Sequence, residues 1–265
     1  MKALEGNFSN KIRAACEKKE SLFDENFSKY AVRSIFAGSY LTLASLAGLV
    51  CADHISNLSP TLSKGFFALI FSLGLCYVLF LNTELATGNM MYLTAGSYFK
   101  FIGAKKALKI LLVCTIFNLI GAYIVAGLVS LTSIGQSFNE NSFFISLANA
   151  KHDKTSLDIL FSAILANIFV NMAVLSWIYI ENQGAKIFLI MMAVFMFVYI
   201  GLEHLVANFS LFALLQATKN AGDNFTLINV LRQWIFAFLG NYIGGGLLIG
   251  LIYSWLNDSK SKFID

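Results

Sequence analysis

Residues Lys186–Ala217 read KIFLIMMAVFMFVYIGLEHLVANFSLFALLQA. The stretch is too long for one straight membrane crossing, which takes about 20 apolar residues. It is too short for two crossings and a turn. Its polar insert, Glu203-His204 with Asn208, lies off-centre. Gly65–Phe99 has the same character, interrupted by Asn82, Glu84 and Asn89. Each reads as a helix that starts across a membrane, breaks, and finishes as a short second piece. Non-helical backbone at membrane depth is tolerated only where protein or a water-filled cavity covers it. Discontinuous helices at corresponding places in two halves point to a substrate site.

Four unbroken apolar runs surround these two: Tyr30–Ala52, Ile110–Leu131, Leu157–Ile180 and Trp234–Leu256. The chain is therefore expected to be an all-α integral membrane protein with six passages, the second and fifth broken. The polar stretches between them are too short to fold as separate domains. The halves also echo each other in sequence. Glu84-Leu85-Ala86-Thr87-Gly88-Asn89 and Glu203-His204-Leu205-Val206-Ala207-Asn208 both place Glu and Asn five apart. Asn118-Leu119-Ile120-Gly121-Ala122 on the third run matches Asn241-Tyr242-Ile243-Gly244-Gly245 on the sixth. Three helices is an odd number, so consecutive copies sit in opposite orientation: an aquaporin-like 3+3 inverted repeat. The halves span about 30–133 and 155–256 of a single transmembrane domain, 1–265, with a polar segment at 1–29.

Composition agrees. Of 265 residues 57% are hydrophobic and 13% charged, about half the charge of a soluble domain. No basic cluster is interleaved with exposed aromatics, so nucleic acid is not an expected partner. Cys16, Cys51, Cys76 and Cys114 form no CxxC or Cys/His cluster, so neither a metal site nor a disulfide framework is indicated. The N-terminus lacks a signal peptide's short apolar core and cleavage site, and the whole chain is read as mature protein.

Lysine and arginine give the orientation. Fourteen fall on one side: Lys2, Lys11, Arg13, Lys18, Lys19, Lys29, Arg33, Lys100, Lys105, Lys106, Lys109, Lys186, Lys260 and Lys262. The other side holds Lys64, Lys151, Lys154, Lys219 and Arg232. Both termini are expected in the cytoplasm of a cell-membrane protein, where lipid is an obligatory partner.

Well inside the runs the ionisable inventory is Glu84, Glu203 and His204, each a functional candidate by its location. The repeat-related glutamates fit a structural role, accepting hydrogen bonds from backbone N–H groups freed at the breaks. His204 has Leu85 at the corresponding place, and histidine titrates near neutral pH; one buried His offers no axial pair for haem. Thr87 supplies a hydroxyl in the first break, and Gly88 permits a tight turn. Asn167 and Asn171 share one face of the fourth run, where such residues commonly serve helix association.

At these residues the sequence resembles the formate/nitrite transporter family. The matching segments are Phe71-Ser72-Leu73-Gly74-Leu75, the two break motifs with Gly201-Leu202 ahead of the second, Gly240-Asn241-Tyr242-Ile243-Gly244-Gly245-Gly246, and Arg33 through Gly38. The resemblance spans all six runs in order. It implies a homopentamer with one pore per protomer and no energy-coupling domain; no cofactor and no enzymatic activity are expected. It makes His204 the central pore histidine, Thr87 the first-break hydroxyl and Asn208 the asparagine that follows. Phe71, Phe197 and Asn167 become the outer constriction, and Leu75, Leu85 and Val170 the inner one. Lys151 becomes the lysine that raises the potential near the histidine. Glu84, Glu203, Gly88 and Asn89 remain the loop braces. Two positions depart from the pattern: Ala86, where several formate channels carry Phe, and Asn171, where a small apolar residue or Cys is usual.

The expected function is passage of a small weak-acid anion such as formate or nitrite, passive or proton-linked. Hydrosulfide, lactate and acetate compete within the class. A neutral-solute channel is disfavoured because there is no paired Asn-Pro-Ala, and Pro60 is the chain's one proline. An intramembrane enzyme lacks paired acids, a metal cluster or a Ser/His pair at helical spacing.

Overall fold

A computed structural model describes residues 7–56, 58–222 and 225–258. Lys2, Lys260 and Lys262 of the charge count lie outside the described residues. Twelve α-helices and one π-helical stretch make up the described chain, with no strand among them: α1 Asn7–Glu25, α2 Phe27–Ser56, α3 Pro60–Phe80, α4 Ala86–Tyr98, α5 Ala104–Ser130, α6 Ser133–Ser137, α7 Phe143–His152, α8 Ser156–Tyr179, α9 Gln183–Ile200, α10 Leu205–Ala217 and α11 Leu227–Asn241, continued by the π stretch Tyr242–Leu251 and α12 Ile252–Leu256. Six helices are long and apolar enough to cross a membrane: α2, α3, α5, α8, α9 and the continuous Leu227–Leu256. At 1.5 Å per residue, α3 alone is about 32 Å long, enough for the hydrocarbon core.

Large apolar side chains face outward along all of these helices; Phe161, Phe188 and Leu128 are each more than 60% exposed. A soluble monomer rarely carries contiguous apolar patches of this extent, and hydrocarbon is the solvent that suits them.

The core joins packing within each half of the chain to packing between them. Helix α2 packs on α3 and α5, and α8 packs on α9 and α11. The short helix α4 packs against the π stretch of the second half, and the short helix α10 packs against α5 of the first. Glycines make the close crossings possible. A Cβ at Gly121 of α5 would collide with the Ile35 carbonyl of α2, and one at Gly244 with the Ile164 carbonyl of α8. Small residues at such crossings let backbones touch where lipid supplies no hydrophobic drive.

The segment ahead of the first run differs from its polar reading. Residues 7–25 form a helix whose Phe8, Ile12, Cys16, Lys19 and Phe23 are buried. Their spacing of three or four residues is a helical stripe, packed on α4 and on the start of α2. Between α5 and α8 the chain forms the small helices α6 and α7. The amide of Phe143 at the start of α7 donates to the Asp53 carboxylate from the end of α2 (2.8 Å).

Candidate functional site

The second apolar stretch divides between Phe80 and Ala86, and the fifth between Ile200 and Leu205. Left-handed backbone ends the first piece at Asn82 (φ 54°) and the second at Gly201 (φ 90°). Both are residue types that tolerate this region. The freedom expected of Gly88 is thus used six residues earlier: Gly88 sits in the first turn of α4, and a Cβ there would make only an ordinary contact with Val174.

Two asparagines hold the breaks. Asn118 of α5 accepts from the Ala86 amide (2.9 Å) and donates to the Ser34 and Glu84 carbonyls (2.7 and 2.8 Å). Asn241 accepts from the Leu205 amide (2.9 Å) and donates to the Ala163 and Glu203 carbonyls (2.7 and 3.0 Å). An amide side chain offers both an acceptor and donors, which a carboxylate does not. This corrects the role expected of the glutamates: neither carboxylate accepts a backbone N–H among the described residues.

The glutamates hold side chains instead. Glu84 takes the Lys19 ammonium (2.6 Å) and the Asn89 amide (3.1 Å). Glu203 takes Lys151 and Lys154 on one oxygen (3.0 Å each), and Asn208 (2.7 Å) and Gln233 (3.0 Å) on the other. Each break therefore carries a lysine–glutamate–asparagine chain. Lys19 was legible in the sequence only as a topology charge, but its place on the apolar stripe of α1 marked it as inward-facing.

Between the two chains the short helices meet at their N-terminal ends. Thr87 is the second residue of α4, and His204 caps α10. The Ala207 amide donates to His204 Nδ1 (3.1 Å). That nitrogen must therefore carry its lone pair, which places the neutral ring's proton on Nε2. Nε2 then donates to Thr87 Oγ1 (2.7 Å), leaving the threonine hydrogen free to donate elsewhere. Both groups are buried. Two helix N-termini, each with about half a positive charge, converge on this pair.

A cavity lies beside it, lined by Phe67, Phe71, Phe197, Leu202, Asn208 and Lys151, with about 30 Å³ of space for a water-sized body. A water needs about 10–15 Å³ on that measure, so the cavity admits bodies of a few heavy atoms. Phe197 packs on the His204 ring, centroids 5.8 Å apart. Asn208 Oδ1 has no hydrogen-bond partner among the described residues. A larger recess of about 220 Å³ at the other break is lined by Lys11, Lys18, Lys19, Asn82, Thr83 and Glu84. Leu75, Leu85 and Val170 are buried in the shared core.

Asn167 stands apart from the cavity. Its amide nitrogen donates to the Thr87 and Asn241 carbonyls (3.3 and 2.7 Å), tying α8 to both the first break and the start of the π stretch. Asn171 donates to the Asn167 carbonyl (2.8 Å) and lies against Gly245. Ala86 is fully buried, with its amide held by Asn118. Lys151 lies at the last turn of α7, where a cation suits the helix dipole. Burial pushes its pKa below the ordinary lysine value, against the opposing pull of Glu203.

Comparison with known proteins places this architecture. The nitrite transporter NirC of Escherichia coli (strain K12) is 29% identical over 255 residues, covering 96% of this chain and 92% of NirC. A solved structure described as an FNT family ion channel superposes with a TM-score of 0.87 at 28% identity, over 93% of this chain and 97% of that one. A pentameric formate channel with formate bound gives a TM-score of 0.72 at 24% identity, over 86% and 96%, a likeness of fold. The family profile for formate/nitrite transporters matches residues 7–255, and the chain belongs to that family of transmembrane transporters.

Proposed function

We propose that this protein passes small monovalent weak-acid anions, of the formate and nitrite class, through one pore in each protomer. The observation that carries the reading is the Thr87–His204 bond at the meeting point of two helix N-termini. It lies between lysine–glutamate chains and beside a cavity walled by Phe71 and Phe197. Positive helix ends and the lysines favour an anion's approach. The apolar walls reject it while fully charged, because burying an unpaired ion is prohibitive. Formate and nitrite have an oxygen that takes a proton, and as neutral acids they escape that cost. The Thr87 hydroxyl donates to the passing oxygen, and the proton comes by a relay through water or His204. Because His204 Nδ1 accepts from Ala207, transfer through the ring requires that bond to break.

In this reading Phe71 and Phe197, with Asn167 bracing behind them, form the outer constriction. Leu75, Leu85 and Val170 form the inner one. Asn208, Asn89, Glu84, Glu203 and Lys151 belong to the chains on either side, and Gly88 lies in the first turn of α4 beside Thr87. Residues 1–265 form one domain whose halves, about 30–133 and 155–256, are an inverted repeat; the matched Asn118 and Asn241 bonding supports this. Both termini face the cytoplasm, with 1–29 a cytoplasmic segment, and five copies assemble. Membership of the formate/nitrite transporter family and the likeness to the nitrite transporter NirC favour nitrite and formate over hydrosulfide, lactate or acetate.

The test is a proteoliposome flux panel of formate, nitrite, lactate and hydrosulfide at two pH values. Formate or nitrite should move fastest, and faster at the lower pH. Passage of uncharged glycerol with exclusion of all four would sink the reading.

A further inference from the structure

The two lysine–glutamate–asparagine chains are not equivalent. Glu84 meets one lysine, and the neighbouring Lys18 donates to Asn82 (3.4 Å) rather than to the carboxylate. Glu203 meets two lysines on the same oxygen. Lys154 also donates to the Gly201 carbonyl (3.1 Å), and Lys151 to that of Leu202 (3.0 Å). Glu203 additionally binds Gln233. In the register set by Asn118 and Asn241, Ile110 stands at the place of Gln233. The buried carboxylate takes two donors on each oxygen, yet holds one negative charge against two positive ones. Two other acids lie near Lys154: Asp158, 4.0 Å away and half exposed, and the adjacent Asp153, which turns to the His152 ring (3.0 Å) and is mostly exposed; solvent screens both.

The turn that carries both lysines is fixed from outside the pair. Arg232 of α11 donates to the His152 and Lys154 carbonyls (3.1 and 2.9 Å) and to the Ser156 hydroxyl (3.3 Å). Asp53 fixes the opposite end of α7. Arg232 and Gln233 are adjacent, so one turn of α11 holds the lysine-bearing turn and the carboxylate together.

We propose that Lys154 is a second anion-recruiting residue of this mouth, supplying the unit of positive charge that Glu203 leaves uncancelled, and that Arg232 is the positioning residue that keeps both lysines on Glu203. The proposal rests on the anion-channel reading above. It predicts an effect on half-saturation rather than on maximal rate, because the charge acts before the anion reaches the apolar walls. A unit charge roughly 3–6 Å from an anion in a water-filled mouth, where the dielectric is near that of bulk water, changes its local concentration by roughly three- to tenfold at low ionic strength. Salt removes most of this, since the Debye length is about 3 Å at 1 M.

The experiment measures initial formate and nitrite uptake into proteoliposomes by wild type, Lys154→Gln, Lys154→Arg and Arg232→Gln, at about 10 mM and 1 M ionic strength. Lys154→Gln should raise the half-saturating concentration about three- to tenfold at low salt and converge with wild type at high salt. Lys154→Arg should recover most of the loss, and Arg232→Gln should show at least the loss of Lys154→Gln. A Lys154→Gln protein with unchanged half-saturation at low salt, beside an active wild type, overturns this proposal alone. So does a salt-independent fall in maximal rate, which marks a structural role. A wild type that carries neither anion overturns the channel reading and this proposal with it.

Discussion

Replacing Asn118 by Leu tests what holds the first break. The substitution is close in volume and removes three buried hydrogen bonds, to the Ala86 amide and to the Ser34 and Glu84 carbonyls. Asn118 is fully buried, and water does not replace the lost partners. Measured side-chain bonds between membrane helices average about 0.6 kcal/mol with a maximum near 1.7. A buried group left unpaired costs about 1–3 kcal/mol in general. Three such losses amount to roughly 2–5 kcal/mol. At about 2–4 °C per kcal/mol for a chain of this size, the apparent melting temperature should fall by about 4–20 °C. The assay is thermal challenge of purified protein in mild detergent, read by the surviving size-exclusion peak. Asn118→Asp is the informative companion, because it keeps an acceptor for the Ala86 amide and loses both donors. It should be destabilised as well, with two carbonyls left facing a carboxylate. Asn241→Leu should fall by a similar amount. A melting temperature for Asn118→Leu within about 2 °C of wild type would show that the break is held by packing alone.

Further expectations follow from the site. His204→Phe keeps a planar ring but removes both nitrogens, so it should abolish or flatten the pH dependence of formate flux while the assembly survives; a folded variant with unchanged rate and pH profile makes His204 structural. Lys151→Met should weaken anion uptake more at low than at high salt, and in wild type the lysine's contribution should disappear as external pH rises through a value below the ordinary lysine pKa of about 10.4, since burial depresses its pKa; uptake that stays flat to alkaline pH contradicts this. Cysteine labelling at positions 2 and 262 should succeed only from the cytoplasmic side, and labelling only from outside reverses the orientation. Native mass spectrometry in mild detergent should give a pentamer; a stable monomer or dimer refutes that assembly.

Much of this was legible because the signals were of the right length. The run of Lys186–Ala217 and its off-centre polar insert placed the second interruption within a few residues of where α9 ends. The Asn118 and Asn241 echo was visible, but its purpose was not. Hydrogen bonding to a chain segment 32 to 38 residues away leaves no local pattern, so the bracing role was assigned to the nearer glutamates. Gly88 was over-read for the same reason: a glycine inside a motif looks like a turn, while the left-handed residue was the less conspicuous Asn82. Lys154, from the turn between α7 and α8, and Gln233 of α11 converge on Glu203, and nothing in their own neighbourhoods points there. The π stretch at Tyr242–Leu251 also had no sequence warning beyond its glycines.

The cross-packing of the short helices has a consequence for biogenesis. Helix α4 leaves the ribosome as residues 86–98, yet its main packing surface is the π stretch ending at Leu251. At about 5–20 residues per second of synthesis, that surface arrives roughly 10–30 s later. During this interval the polar first break must wait inside or beside the insertion machinery, with Glu84 and the backbone near Ala86 relying on α1, α2 and α5. A chain truncated after α9 would hold every first-half segment and still leave α4 without its neighbour. Quality-control proteases would then meet an exposed half-helix, so slow elongation between residues 130 and 240 is where a nascent chain of this protein is most vulnerable.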